Sequence, residues 1–95
     1  MNRRSLESQL TLRLRRAAEQ DAALALLVLD VDHFKDVNDT LGHAAGDRYL
    51  VLVSQLLRRH VRTLDVVGRL GGDEFLVILP MTNPAEAAGF IQRVL

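Results

Sequence analysis

Val66-Val67-Gly68-Arg69-Leu70-Gly71-Gly72-Asp73-Glu74-Phe75-Leu76-Val77-Ile78-Leu79 decides how this chain is read. Two short apolar runs, partly β-branched, flank a Gly-Gly pair. That pattern predicts a β-hairpin, because glycine reaches the positive φ of a tight primed turn without Cβ strain. Asp73 and Glu74 stand where the second strand should begin its apolar pattern. Adjacent carboxylates at a hairpin tip lower β-propensity and repel one another unless positive charge sits there. Solvated acidic residues beside a turn are also common, so the rest of the chain has to decide between the two.

Upstream, Ala22 to Leu29 is a continuous apolar run and predicts a strand buried on both faces. It stops at Asp30-Val31-Asp32, where a period of two puts both aspartates on one side and Val31 on the other. A carboxylate at the end of a buried strand, with another close behind it, is a common way to hold Mg²⁺, a hard cation that takes oxygen ligands and keeps some of its water. If this strand lies beside the hairpin, Asp30, Asp32, Asp73 and Glu74 form a carboxylate cluster at one sheet edge. Such a cluster is unfavourable when empty and favourable around divalent metal. Two-metal sites of this sort carry out phosphoryl and nucleotidyl transfer.

Between these elements, His33 to Thr40 predicts a short helix with Phe34 and Val37 inward and Lys35, Asp36, Asn38 and Asp39 outward. Leu41-Gly42-His43 breaks it. A longer helix is expected from Ala44 to Arg62, with Leu50, Val53 and Leu57 as its buried stripe and Arg58, Arg59 and Arg62 near its C-terminal end. Gly46 costs roughly 1 kcal/mol against alanine there, which marks a close approach, with a ligand as one candidate. Lys35 and nearby backbone N–H groups are placed to meet phosphate oxygens. Asn38 and Asp47 offer an amide and a carboxylate that a purine edge can pair with.

At the N-terminus, Met1 to Asp21 reads as a helix capped by Ser5, with Leu6, Leu10, Leu14, Ala17 and Ala18 on the helical period and Arg13, Arg15 and Arg16 on a solvated face. Beyond the hairpin, Pro80 ends the second strand. Asn83-Pro84-Ala85-Glu86 then opens a last helix, with Asn83 as N-cap, Pro84 in the first position and Glu86 in the third. Ala87, Phe90, Ile91 and Val94 supply its apolar face.

The bulk numbers narrow the function classes. Ninety-five residues suggest one small domain or part of one, and 12 basic residues balance 12 acidic ones. That balance gives no electrostatic case for nucleic acid or a membrane surface. Cysteine is absent, which excludes disulfides and thiolate metal sites. The longest apolar run, Ala22 to Leu29, is too short to cross a bilayer, and a cytoplasmic location is the default expectation. The residues alone read as a metal-dependent nucleotide enzyme of α/β class.

Asp30-Val31-Asp32-His33-Phe34-Lys35, Asn38-Asp39, Gly42-His43, Gly46-Asp47 and Arg69-Leu70-Gly71-Gly72-Asp73-Glu74-Phe75 resemble the successive signatures of the GGDEF family, the diguanylate cyclases. The match runs from about Asn2 to the C-terminus with no motif broken. The resemblance implies a cyclase-like α/β (α+β) fold related to the polymerase palm, with a central, mostly antiparallel sheet flanked by helices. It implies condensation of two GTP into cyclic di-GMP with release of two pyrophosphates, by a homodimer in which each protomer holds one GTP.

Carried over by position, Asp30, the Val31 carbonyl and Asp73 would bind Mg²⁺, two ions per GTP site, with Mn²⁺ as an alternative ion. Asp73 would also be the base for the 3′-hydroxyl, and Lys35 would stabilise charge developing on the phosphates. Asn38 and Asp47 would read guanine, and His43 would help to hold the nucleotide. Arg62-Thr63-Leu64-Asp65 stands where many members carry an RxxD site that binds the product as an inhibitor, so Arg62 and Asp65 are its candidates here. The resemblance further implies an upstream sensory or regulatory domain. It also implies that a segment before Asn2 and the last helix and strands of the domain lie outside these residues. Two other readings stand beside the enzyme: a GGDEF-like module that binds GTP or cyclic di-GMP without turnover, and a segment kept for dimerisation. Intact acidic and guanine-reading positions favour the enzyme.

Overall fold

Two antiparallel pairings build the sheet that positions everything else. A computed structural model describes residues 3–95, and Met1 and Asn2 of the expected first helix lie outside them. The order is α1 (Arg3–Gln20), β1 (Leu24–Asp30), α2 (Phe34–Leu41), α3 (His43–His60), β2 (Val66–Gly71), β3 (Glu74–Pro80) and α4 (Pro84–Val94). The strand order is β1-β3-β2, so the hairpin's second strand is central and pairs on both sides. This is the mixed α/β architecture with an antiparallel sheet that the sequence predicts.

Burial follows strand position. Phe75 to Leu79 of β3 are all buried, since that strand has neighbours on both edges and helices on both faces. β1 departs from its expectation of burial on both faces. It lies at a sheet edge, where Ala25, Leu27 and Leu29 pack inward while Leu26 is 46% and Val28 58% exposed. An apolar run shows that a strand exists, but its place in the sheet depends on long-range pairing.

One face of the sheet packs Val67, Phe75, Val77 and Leu79 against Leu50 and Leu57 of α3 and Phe90 of α4. The other packs Val66, Leu76 and Ile78 against Leu6 of α1. Leu6 is fully buried and sits over Gly68, where an added Cβ would lie 2.7 Å from one leucine methyl carbon. The rest of the expected α1 stripe is less covered: Leu10 and Ala17 are half-buried, Ala18 is exposed and Leu14 is 50% exposed. Ser5 falls inside α1 instead of capping it.

Two helix boundaries follow local chemistry. Gly42, at φ 90°, separates α2 from α3, and its N–H donates to the Asn38 carbonyl at 2.9 Å. Asn83 caps α4 as expected: its Oδ1 accepts from the Glu86 N–H at 2.8 Å, and the Asn83 N–H donates to Glu86 Oε1 at 3.0 Å. On α4, Ala87 and Phe90 are buried, but Ile91 faces solvent. α3 ends at His60, so Arg62 lies beyond the helix and not in its last turn.

Candidate active site

The hairpin tip is built differently from a primed turn. Gly71 pairs with Glu74, leaving Gly72 and Asp73 as the turn, and the ladder is irregular between Arg69 and Gly71. Neither Gly71 nor Gly72 has positive φ; among the described residues Gly42 is the one glycine that does. The irregularity supplies the curvature that the expected φ values would have given. Arg69 Nε donates to the Gly72 carbonyl at 2.8 Å and ties the tip down. A Cβ at Gly71 or Gly72 would meet nothing within 4 Å, so the surface over this tip is open.

β1 delivers its acidic end to the same place. Asp30 stands opposite Glu74 in the ladder, and the Val31 N–H donates to the Asp73 carbonyl at 2.9 Å. Asp30, Val31, Lys35, Asp73 and Glu74 thus border one open cleft of about 600 Å³ with Asp32. Asp73 is half-buried, whereas Asp30, Asp32, Lys35 and Glu74 are exposed. The donors are carboxylate and carbonyl oxygens, a set suited to a hard divalent cation. Among the described residues, no three His, Asp or Glu side chains converge into a closed metal group. The four carboxylates share one open cleft at the sheet edge.

The base-reading candidates lie on the α2–α3 hairpin. Gly46 is buried because the Asn38 side chain rests on it: a Cβ there would fall 1.7 Å from Asn38 Oδ1. The close approach marked by this glycine is made by Asn38. Asn38 Oδ1 is buried and has no hydrogen-bond partner among the described residues, although the sequence pattern put this side chain outward. His43 opens α3, is exposed, and makes no capping bond. Asp47 lines a separate groove between α3 and β2 with Arg58 and Arg69.

Arg62 and Asp65 form an ion pair held by several hydrogen bonds. Arg62 Nη2 and Nε donate to Asp65 Oδ1 at 2.8 and 3.2 Å, and the Arg62 backbone N–H donates to Oδ2 at 2.7 Å. Nη2 also donates to the Pro80 carbonyl at 2.7 Å and to Thr82 Oγ1 at 2.8 Å, which pins the end of α3 to the end of β3. The Asp65 side chain is 2% exposed, the Arg62 side chain 46%. Hydrogen bonding to Asp65 raises the Arg62 guanidinium above its ordinary pKa. A raised cation stabilises the fold at every pH below its unfolded value, so this pair is constant across the neutral range. Beside it a cleft of about 270 Å³ is lined by His60, Arg62, Asp65, Thr82, Glu86 and Arg93.

Sequence reasoning missed three of these groups. Arg69 lay within a quoted motif but drew no role. Arg93, on α4, is distant in sequence from the RxxD stretch whose cleft it borders. Tyr49 Oη donates to the Asp32 carbonyl at 3.0 Å across 17 positions, a contact that no motif marks.

The family model described as "Diguanylate cyclase, GGDEF domain" matches residues 1–95. The chain is 44% identical over 95 residues to diguanylate cyclase TpbB of Pseudomonas aeruginosa (strain UCBPP-PA14), covering 99% of this chain and 22% of that protein. The crystal structure of the GGDEF domain of YfiN (TpbB) from Pseudomonas aeruginosa superposes with a TM-score of 0.94 at 44% identity, covering 99% of this chain and 59% of that one. The GGDEF domain of DgcB from Caulobacter crescentus, in complex with c-di-GMP, gives 0.93 at 32% identity over 98% of this chain and 54% of that one. The chain therefore spans about a fifth of the curated relative and just over half of these solved chains. Among the described residues, no helix is long and apolar enough to cross a membrane. With a match over its whole length and a sheet that joins the Asp30 strand end to the Gly-Gly-Asp-Glu-Phe tip, this chain belongs to the GGDEF domain family.

Proposed function

We propose that this chain forms the metal- and guanine-binding part of a diguanylate cyclase domain, which condenses two GTP into cyclic di-GMP and releases two pyrophosphates. The Val31 N–H bond to the Asp73 carbonyl carries the reading, because it fastens the two acidic segments side by side at one cleft. Asp30, the Val31 carbonyl and Asp73 would hold Mg²⁺. The fit is good despite the open arrangement, since Mg²⁺ is usually held by one or two carboxylates plus substrate phosphates and not by a closed protein cage. When bound, the ion supplies Lewis-acid polarisation of phosphate oxygens.

The chain's own groups do the rest. Asp73 accepts the proton of the 3′-hydroxyl as that oxygen attacks the α-phosphate of the partner protomer's GTP. Lys35, at the start of α2, offsets negative charge gathering on the phosphates. Open space over Gly71 and Gly72 lets phosphate approach the backbone closely. Asn38 and Asp47 discriminate guanine, with Asn38 turning off Gly46 to pair with the base, and His43 steadies the nucleotide. Arg62 and Asp65 form a product site, with Arg93 lining the same cleft. Binding of c-di-GMP by the Caulobacter relative supports that part.

The test is incubation with GTP and Mg²⁺, for this chain and for a version extended at both ends, followed by chromatography. Cyclic di-GMP from the extended version supports the reading. Unconsumed GTP in both, with both proteins folded, refutes it.

A further inference from the structure

Tyr49 sits on α3 with its ring half-buried against the core cluster, yet its hydroxyl reaches the exposed loop after β1 and donates to the Asp32 carbonyl. That carbonyl belongs to the peptide unit preceding His33. His33 has φ 63°, in the left-handed region that a side chain other than glycine rarely enters. Rotating the Asp32–His33 peptide would relieve that strain and would aim the Asp32 carbonyl elsewhere. The hydroxyl therefore opposes the relaxation. The preceding residue is fixed from the other side by the Val31 N–H bond to Asp73. Between the two restraints lies the Val31 carbonyl, and just beyond them Lys35 enters α2. The His33 carbonyl accepts from the Val37 N–H at 2.9 Å, and the His33 side chain makes one long contact, Nδ1 to Asp36 Oδ2 at 3.4 Å, with both side chains more than three-quarters exposed. A contact so exposed is too weak to hold the left-handed conformation by itself.

We propose that Tyr49 is a positioning residue whose hydroxyl locks the Asp32–His33 peptide, so that the loop presents the Val31 carbonyl and Lys35 to the cleft. The functional half rests on the reading of that cleft as a metal–nucleotide site. Tyr49→Phe keeps the ring and removes the lock. His33→Gly removes the strain that the lock opposes, because glycine holds positive φ freely.

The experiment compares the wild-type chain, Tyr49→Phe, and Tyr49→Phe with His33→Gly. Amide hydrogen exchange at Val31 is measured by NMR, and Mn²⁺ binding in the presence of GTP by electron paramagnetic resonance. Tyr49→Phe is expected to speed Val31 exchange and weaken Mn²⁺ binding by about tenfold each, the worth of one ordinary hydrogen bond. The double variant is expected to regain most of both. Unchanged exchange in Tyr49→Phe overturns the proposal. So does a loss that glycine fails to rescue, which would make Tyr49 a packing residue only. A wild-type chain that exchanges as expected but binds no Mn²⁺ refutes the cleft reading and, with it, the role assigned here.

Discussion

Gly68→Ala probes how α1 is fastened to the sheet. The added methyl would lie 2.7 and 2.9 Å from the two Leu6 methyl carbons and 3.2 Å from Cγ. Carbon atoms prefer roughly 3.5–4.0 Å, so Leu6 must retreat by most of an ångström. It has nowhere to go, being fully buried among Val66, Leu76 and Ile78. Overpacking of this kind costs about 1–3 kcal/mol, and replacing glycine returns about 0.5–1 kcal/mol of chain entropy. A net loss of about 1–2 kcal/mol lowers the melting temperature by about 4–16 °C in a domain of this size. Leu6→Ala alone should cost about 3 kcal/mol through the cavity it leaves. In the double variant the new methyl occupies part of that cavity, so the two costs should fall short of their sum by about 1–2 kcal/mol. Thermal and urea melts of the four proteins measure the cycle. Costs that add to within about 0.5 kcal/mol, or a Gly68→Ala protein as stable as the parent, would refute the contact.

Asn83→Ala removes half of a capping box and should cost about 1 kcal/mol in urea denaturation, with the loss concentrated in α4 amide protection. Asp30→Asn and Asp73→Asn, each in an extended domain, should abolish cyclic di-GMP formation in a chromatographic assay; substantial activity in both would remove the metal assignment. Arg62→Met leaves the Asp65 carboxylate buried beside only the Arg62 backbone N–H, and thermal melts should report a loss of about 1–3 kcal/mol. Val28→Lys places a charge on the exposed face of the β1 edge and should reduce self-association of the chain in sedimentation runs at high concentration.

What the sequence made legible was what neighbours decide. The Asn83-Pro84-Ala85-Glu86 cap is visible because all its partners lie within one turn, and the structure reproduces both of its bonds. The hairpin is visible because two apolar runs flank a short polar break. Edge exposure of Leu26 and Val28 was hidden, because the same residues in a central strand would be buried. The turn was found but its geometry was not: a ladder irregularity replaced the positive φ that Gly-Gly invites. The site motifs announced Asp30 and Asp73, whose strand ends meet. They gave no hint that Asn38 would turn inward, that Arg62 would also bond to Pro80 and Thr82, or that Tyr49 would reach Asp32. Those contacts are set by how α3 lies across the sheet, and no local pattern encodes that.

The packing of Asn38 on Gly46 also has an evolutionary reading. A side chain of any size at position 46 would collide with the Asn38 amide where it now rests, so position 46 is not free to fill until position 38 gives way. Among sequences that share this fold, a lineage that gains alanine or serine at 46 should first lose asparagine at 38, or lose it in the same step. The opposite order, a side chain at 46 while asparagine still stands at 38, meets the steric barrier, so the sequence of the two changes is fixed. A lineage that has filled position 46 would keep its fold and its acidic cleft while having given up the amide at position 38.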